Sequence, residues 1–316
     1  MTAAPVRLGT RASALALAQA GTVAAALTAT GRKVDLVEIT THGDISREPL
    51  AAIGGTGVFV SALRDALLAD RIDLAVHSFK DLPTAPADGL TVAATPPRED
   101  ARDVVVARDR LTLAELPPGA RVGTGAPRRV AQIRALGLGL DLVPVRGNVD
   151  TRLQQVVDGT LDAVVLARAG LARLGRLDEI TEVLDPLQML PAPGQGALAV
   201  ECRVDDDMVD AVRELDVSTT RSAVTAERSL LAALEAGCTA PVGAYAEAAE
   251  GEDGLELYLR AVVVSLDGTE SIRKSATGPL TAAERIGREL AADLLDDGAG
   301  ALVGTSDRVL EQETIP

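Results

Sequence analysis

A chain of 316 residues is long enough for two or three domains, which hold roughly 100–150 residues each. A net charge of −15, no Trp and aromatics at 1% argue against a nucleic-acid partner, which needs basic patches or stacking platforms. Two cysteines make no disulfide framework, and two histidines without CxxC or HExxH make no zinc pattern, so no metal is expected.

Hydrophobic content of 47% is ample for cores, which must be built from Ala, Leu and Val. Three lysines stand in the chain, Lys33, Lys80 and Lys274; every other basic residue is arginine, so the placement of arginines matters. RASALALAQAGTVAAALTA near the start places arginine ahead of an apolar run, as a secretory signal does. The run is Ala-rich, Gln19 and Gly21 interrupt it, and VRLGT before it reads as a strand of the fold. No stretch of about 18 residues is apolar enough to span a membrane. A soluble, cytoplasmic protein without a membrane partner is therefore expected.

In chain order, VRLGT (6–10) predicts a strand, and Ser13 is placed to cap a helix running to about Ala29. KVDLVEIT (33–40) predicts a strand, VFVSALRDALLAD (58–70) a helix, IDLAVHS (72–78) and LTVAATP (90–96) two more strands. This βαβ rhythm implies a mainly parallel sheet covered by helices on both faces. The rhythm restarts after Pro96-Pro97. DVVVARD (103–109) and RVGTG (121–125) predict strands, and PRRVAQIRALG (127–137) a helix with Pro in its first turn. LDLVPVRG (140–147), NVDTRLQQVVDG (148–159) and LDAVVLA (161–167) predict strand, helix, strand. LPAPGQGALAVECR (190–203) joins a Pro/Gly breaker to another strand. Two α/β domains follow, with crossings near 96–101 and 190–197 that make a hinge beside a ligand cleft.

From Thr219 the pattern changes. TTRSAVTAERSLLAALEAG predicts a helix ending at Gly237 as its C′ glycine. The strand-like runs VGAYAEAA, LELYLRAVVVSLD and SIRKSATG follow, and the helical TAAERIGRELAADLLDDG comes after them. The expected domains are 1–97 with 197–216, then 101–191, then a small α+β domain over 219–316.

GTRAS (9–13), GTGAPRR (123–129) and RGNVDTR (146–152) share one design: strand end, polar loop and helix start, with arginine attached. Free N–H groups at a helix start attract anions, and arginine adds bidentate carboxylate contacts. One such loop is an ordinary capping turn, but three in an acidic chain point to an anionic ligand with several acid groups. HSFKDLP (77–83) sets Lys80 and Asp81 at the carboxyl end of a strand, where α/β sites lie. A solvated turn is the plain alternative; a lysine for an anion or Schiff base beside an aspartate for proton work is the functional one. GGTGVFVSAL (54–63) is a Gly-rich loop without the Lys-Ser/Thr of a phosphate-binding loop. Cys202 lies in an apolar strand and reads as a small hydrophobe, whereas Cys238 follows a helix-ending glycine and sits on a loop.

RLGTRASALALAQA, HGDISREPL, GGTGVFVSALRDALL, DLAVHSFKDLP, RVGTGAPRR, RGNVDTRL, DAVVLARAGLARLG, LPAPGQGALAVECR and LEAGCTAPVGAY together resemble the porphobilinogen deaminases, in order from about residue 6 to 245. The C-terminal 70 or so residues agree in pattern more than in motif. The resemblance implies two type II periplasmic-binding-protein-like α/β domains with a cleft and hinge, plus a small C-terminal α+β domain. It implies a transferase of heme and tetrapyrrole biosynthesis, expected as a monomer. Its substrate would be porphobilinogen, four of which are joined head to tail with loss of ammonia to give hydroxymethylbilane. Its primer would be a dipyrromethane cofactor held as a thioether by Cys238. By the same match Asp81 is catalytic and also contacts the cofactor, with Lys80, Ser13, Arg128 and Arg129. Arg11, Arg146, Arg152, Arg173, Phe59 and Gln195 bind substrate, and Asp44 falls in the lid segment. Arg128 and Arg129 are expected to matter for loading and elongation rather than for folding.

This chain departs from the family where Gly125-Ala126-Pro127 replaces the usual Ser-Ser-Leu, so backbone N–H groups must serve there. Ala52 and Thr56 stand in a lid region often rich in lysine, and His42 where arginine is common. The rival readings are a non-catalytic two-lobed binding protein for a carboxylate ligand, and a Schiff-base enzyme using Lys80.

Overall fold

The computed structural model describes residues 4–40, 58–236, 240–251 and 254–303, apart from the side chains of Val58 and Phe59. The chain forms two compact units, one of residues 1–99 and 196–221 and the other of 100–195 and 222–316.

The first unit is built on β1 (Val6–Thr10), β2 (Val34–Glu38), β3 (Leu74–Ser78), β4 (Leu90–Ala94) and β10 (Leu198–Arg203), in the order β2-β1-β3-β10-β4. β1 runs parallel to both β2 and β3, while β10 runs antiparallel to β3 and β4. Alternation along the strands sends two apolar sets to opposite faces. Leu8, Leu74 and Val200 pack with Ala20, Val23 and Leu27 of α1 (Ala14–Ala29). Ala75 packs on the other side with Leu63, Ala66 and Leu67 of α2 (Val58–Leu68). Gly9 is what lets α2 close down, since a Cβ there would stand 2.3 Å from Ile72 Cδ1 and 3.2 Å from Leu63 Cδ2.

In the second unit the strands are β5 (Asp103–Ala107), β6 (Arg121–Gly123), β7 (Asp141–Val143), β8 (Ala163–Ala167) and β9 (Glu182–Val183), ordered β7-β6-β8-β5-β9. β6 is parallel to β7 and β8, and β5 is antiparallel to β8 and β9. The two sheets thus repeat one plan: a strand flanked on both sides by parallel neighbours, then one reversed strand and an edge. That is the type II periplasmic-binding-protein order. The sheets are mixed rather than mainly parallel: in each, two pairings are parallel and two antiparallel, and the reversed strand responsible is the one the βαβ reading does not reveal. Helices α3 (Pro127–Ala135), α4 (Val149–Val157) and α5 (Arg168–Arg173) cover this sheet through Ile133, Leu153 with Val156, and Leu171.

A short α6 (Met208–Ala211) and then α7 (Ser218–Ala233) follow β10, the first turn of α7 lying in the first unit and the rest in the second. α7 stops four residues short of Gly237: Glu235 takes a left-handed φ of 51°. Gly237 itself lies outside the described residues. The antiparallel sheet β11 (Val242–Gly251), β12 (Gly254–Val264) and β13 (Ser271–Pro279) packs on α7 and α8 (Ala283–Asp296) through Leu230, Leu257, Leu259, Ile286, Leu290 and Leu294. Within the second unit, Leu190, Val262 and Val264 pack on Ala131 of α3, joining the antiparallel sheet to the five-stranded one.

Candidate functional site

Parallel strands deliver their following loops to one edge, so topology decides which polar loops meet. In the first unit β1 and β3 are parallel neighbours, with Leu8 opposite Leu74 and Gly9 opposite Ala75. Arg11 and Ser13 leave the end of β1, and Lys80 and Asp81 occupy a single 3-10 turn, Phe79–Asp81, that leaves the end of β3. Ser13 is the N-cap of α1, its Oγ accepting from Ala16 N at 3.3 Å. The 3-10 turn is held from behind: Phe79 N donates to Ala197 O at 3.0 Å, and Gln19 Nε2 donates to Ser78 Oγ at 2.8 Å. Phe79 is buried, Lys80 half-buried and Asp81 exposed. A fixed turn that offers a carboxylate to solvent is what proton or charge work on a ligand requires.

In the second unit β6, β7 and β8 are the parallel set. Arg128 and Arg129 follow β6, Arg146 and Arg152 follow β7, and Arg173 closes α5 after β8. Arg146 is exposed and Arg152 half-buried, its Nε donating to Gly147 O at 2.9 Å. Burial, with a smaller push from the Arg129 charge, lowers the Arg152 pKa. Arg128 and Arg129 are buried, unlike the solvent-facing cradle the loop pattern implies. Arg128 Nη1 donates to Leu190 O at 2.5 Å and Arg129 Nη1 to Val165 O at 2.9 Å. One carboxylate, that of Asp103, meets Arg128 Nη2 and Arg129 Nη2 at 2.8 Å each and also accepts from Gln195 Nε2 at 2.8 Å. Burial alone would raise the Asp103 pKa; the two guanidinium charges and the hydrogen bonds together outweigh it and hold the carboxyl well below its usual range. Gln195 is held in turn by donating to Ala101 O at 2.7 Å.

Neither Asp103 nor Glu227 was singled out by sequence. Glu227, on α7, is fully buried and spends both oxygens on backbone: Gly194 N donates to Oε2 at 2.6 Å and Ala246 N to Oε1 at 2.7 Å. It so fixes the Pro/Gly segment that carries Gln195. The sequence signal for each is faint: Asp103 stands at the head of the apolar run VVVA, and Glu227 between apolar residues and Arg228. The loop at α3 also differs from expectation. Its N-cap, Ala126, offers no side-chain hydrogen bond, and the N–H groups of Arg129 and Val130 donate to Ala126 O at 2.9 and 3.1 Å rather than standing free.

Cys202 is buried on β10, and burial pushes its thiol up to about 11, which leaves almost no thiolate at neutral pH. Cys238, Asp44, His42, Ala52 and Thr56 lie outside the described residues, as does the Phe59 side chain. Among the described residues no His, Cys, Asp and Glu cluster has metal-site form, and no helix is long and apolar enough to cross a membrane.

The fold and these loops define the class: an α/β protein with two sheets of type II periplasmic-binding-protein order and, in each, arginines on the segments that follow the parallel strands. Residues 6–211 match the model of the porphobilinogen deaminase dipyrromethane cofactor binding domain, and residues 222–296 that of the porphobilinogen deaminase C-terminal domain. The chain belongs to the porphobilinogen deaminase family. It is 60% identical to the porphobilinogen deaminase of Nocardia farcinica, covering 96% of this chain and 89% of that one. It is also 60% identical to porphobilinogen deaminase 1 of Streptomyces coelicolor, over 96% and 99% of the two chains, and 59% identical to the Mycobacterium bovis enzyme, over 94% and 98%. A periplasmic substrate-binding protein of an ABC transporter from Coxiella burnetii is 13% identical over 66% of this chain and 89% of its own, at a TM-score of 0.42. That likeness is too slight to bear on the fold, which rests on strand order.

Proposed function

We propose that this chain condenses four porphobilinogens into hydroxymethylbilane, each addition forming one carbon–carbon bond and releasing one ammonia, with a final water freeing the product. The observation that carries the reading is the pair of family matches spanning nearly the whole chain, with Asp81, Lys80 and the matched arginines each in the loop or helix that follows a strand of a parallel set. The residues fit a dipyrromethane. Two buried guanidiniums share one carboxylate, and Nε of Arg128 and of Arg129 lack hydrogen-bond partners among the described residues, a vacancy suited to carboxylates. Bound through Cys238, the dipyrromethane would supply the pyrrole end to which units are added.

The chain's own residues then do the following. Arg11, Arg146, Arg152 and Arg173 hold acetate and propionate groups of the substrate; Arg128, Arg129, Lys80 and Ser13 hold those of the primer; Phe59 and Gln195 position the rings. Asp81 stabilises positive charge on the porphobilinogen ring as ammonia departs and accepts the proton released when the new bond forms. A monomeric, cytoplasmic transferase, with the antiparallel sheet, α7 and α8 as a third domain that carries Cys238, completes the reading.

Two substitutions test it. Cys238→Ala should give a folded, inactive protein whose intact mass equals that of the bare chain, whereas Cys202→Ala should keep both the added mass and the activity. Asp81→Ala should lower single-turnover elongation on the order of 10²–10³-fold, by analogy with loss of one transition-state donor, and Asp81→Glu less. Primer still present on Cys238→Ala, or wild-type elongation by primed Asp81→Ala, would overturn the assignments.

A further inference from the structure

Arg128 and Arg129 are neighbours in the first turn of α3. Consecutive residues of a helix project about 100° apart and do not face one another. Yet both guanidiniums bring an Nη2 to 2.8 Å from the same carboxylate, one to each oxygen of Asp103. That carboxylate is rigidly placed. Asp103 opens β5, pairs with Ala167 of β8, is fully buried, and its backbone carbonyl accepts from Leu184 N at 2.9 Å. Leu190 O and Val165 O fix the second fork of each arginine.

A buried ion pair that serves only the fold tends to be matched in charge with its donors satisfied. This cluster is neither. Two guanidiniums meet one carboxylate, so one positive charge is left over. Arg128 Nε and Arg129 Nε have no hydrogen-bond partner among the described residues, and the Arg128–Asp103 contact lacks hydrogen-bond geometry. Arg152 adds a further cation close enough for Arg129 to depress its pKa. We propose that Asp103 is a positioning residue: it draws two diverging arginines into one cluster and leaves their unmatched charge and Nε–H donors for a ligand carboxylate. This rests on the reading of Arg128 and Arg129 as carboxylate-binding residues.

The test measures binding rather than turnover, in a Cys238→Ser background that takes no primer. Calorimetric titration with a free dipyrromethane bearing acetate and propionate side chains, the acid groups of the primer, is run on that protein and on its Asp103→Asn, Asp103→Glu, Arg128→Leu and Leu113→Ala derivatives. Leu113 is a fully buried core residue of the same sheet and controls for lost stability alone. Asp103→Asn should weaken binding about tenfold or more, as loss of one member of a buried charge cluster does. Asp103→Glu keeps the charge at a shifted position, so it should weaken binding less, and it decides the matter if the Asn variant does not fold. Leu113→Ala should keep the parent's Kd. Parental affinity in folded Asp103 variants, beside weakened Arg128→Leu, overturns the role of Asp103 alone. Parental affinity in Arg128→Leu as well overturns the carboxylate-site reading with it. Equal weakening by Leu113→Ala reduces the effect to stability and also overturns the proposal.

Discussion

The reversed strands of the two five-stranded sheets each carry one buried carboxylate, and the two carboxylates keep different company. On β10, Glu201 binds Arg64 through Nε at 3.1 Å and Nη2 at 2.9 Å, with His77 Nε2 3.2 Å away. One anion meets one permanent cation, and the His77 ring lies alongside. On β5, Asp103 meets two permanent cations. The same topological position is closed in one unit and left open in the other. A buried network matched in charge holds strands together. One with an unmatched cation also has something to offer a ligand.

Removing the anion from each site should separate the two sharply. Asp103→Leu strands two guanidiniums whose side chains are only 4% and 6% exposed, and should cost about 3–5 kcal/mol. Glu201→Leu leaves Arg64, 18% exposed and on a helix surface, free to swing toward water, so its cost should be the smaller. Arg128→Leu leaves a matched Asp103–Arg129 pair and should cost less than Asp103→Leu. The burial and ion pair of Arg128 mean the change should still lower the melting temperature, against the expectation that these arginines matter for loading and elongation rather than for folding. Chemical denaturation of the three variants checks the order; an Arg128→Leu protein less stable than Asp103→Leu would contradict the charge count.

How far this was legible in sequence depends on the range of the signal. Most strands, the Ser13 cap and the Pro127 helix start are local and appear within a residue or two of their place, although the strand expected over 140–147 stops at Val143 and that over 255–267 at Val264. The loops that follow β1 and β6 share a Gly-Thr pair at the strand end, and Thr10 and Thr124 are both buried. The direction of β5 and β10 is not local, because it depends on which strand lies alongside. For the same reason Asp103 and Glu201 were passed over. An acid within DVVVARD or ALAVECR looks like a strand's solvent face until the arginines 25 or more residues away are known to meet it. Cys202 is legible as a small buried hydrophobe because burial in an apolar strand is a local property.

Acid should act on both networks in the same direction. Burial opposes ionisation of Glu201, but its His77 and Arg64 partners hold its pKa below the usual value, and Asp103 is held lower still than an ordinary carboxyl. A carboxyl depressed in the folded state stabilises fully above its unfolded value, near 4, and loses that contribution as pH falls through the folded value. Melting temperature should therefore be level from about pH 8 to 5 and drop below about pH 4. In Glu201→Gln the drop should be shallower, so the gap from wild type narrows with acid. A gap that stays constant from pH 7 to about 3 would show that Glu201 ionisation is not what links the strands.

The smallest effects, and opposite ones, are expected where the two units begin their first site helix. α1 is capped by Ser13, whereas α3 starts at uncapped Ala126 behind Gly125. The family's two serines would fall on Gly125 and Ala126, and the structure treats these positions differently. A Cβ at Gly125 would stand 2.6 Å from Val145 O, a backbone atom of a residue that is itself packed against Leu153, Val156 and Leu161. Neither side can yield cheaply, so Gly125→Ser should destabilise by about 1–3 kcal/mol. Ala126 already has the extended backbone of an N-cap, with φ −110° and ψ 116°. A serine hydroxyl there can accept from Arg128 N–H, and Ala126→Ser should stabilise by about 0.5–1 kcal/mol, typical of a gained cap. The pair sharpens the comparison because both changes add the same hydroxymethyl group one residue apart. If the two melting temperatures shift in the same direction, the close approach of the β6 loop to Val145 is not what keeps residue 125 a glycine.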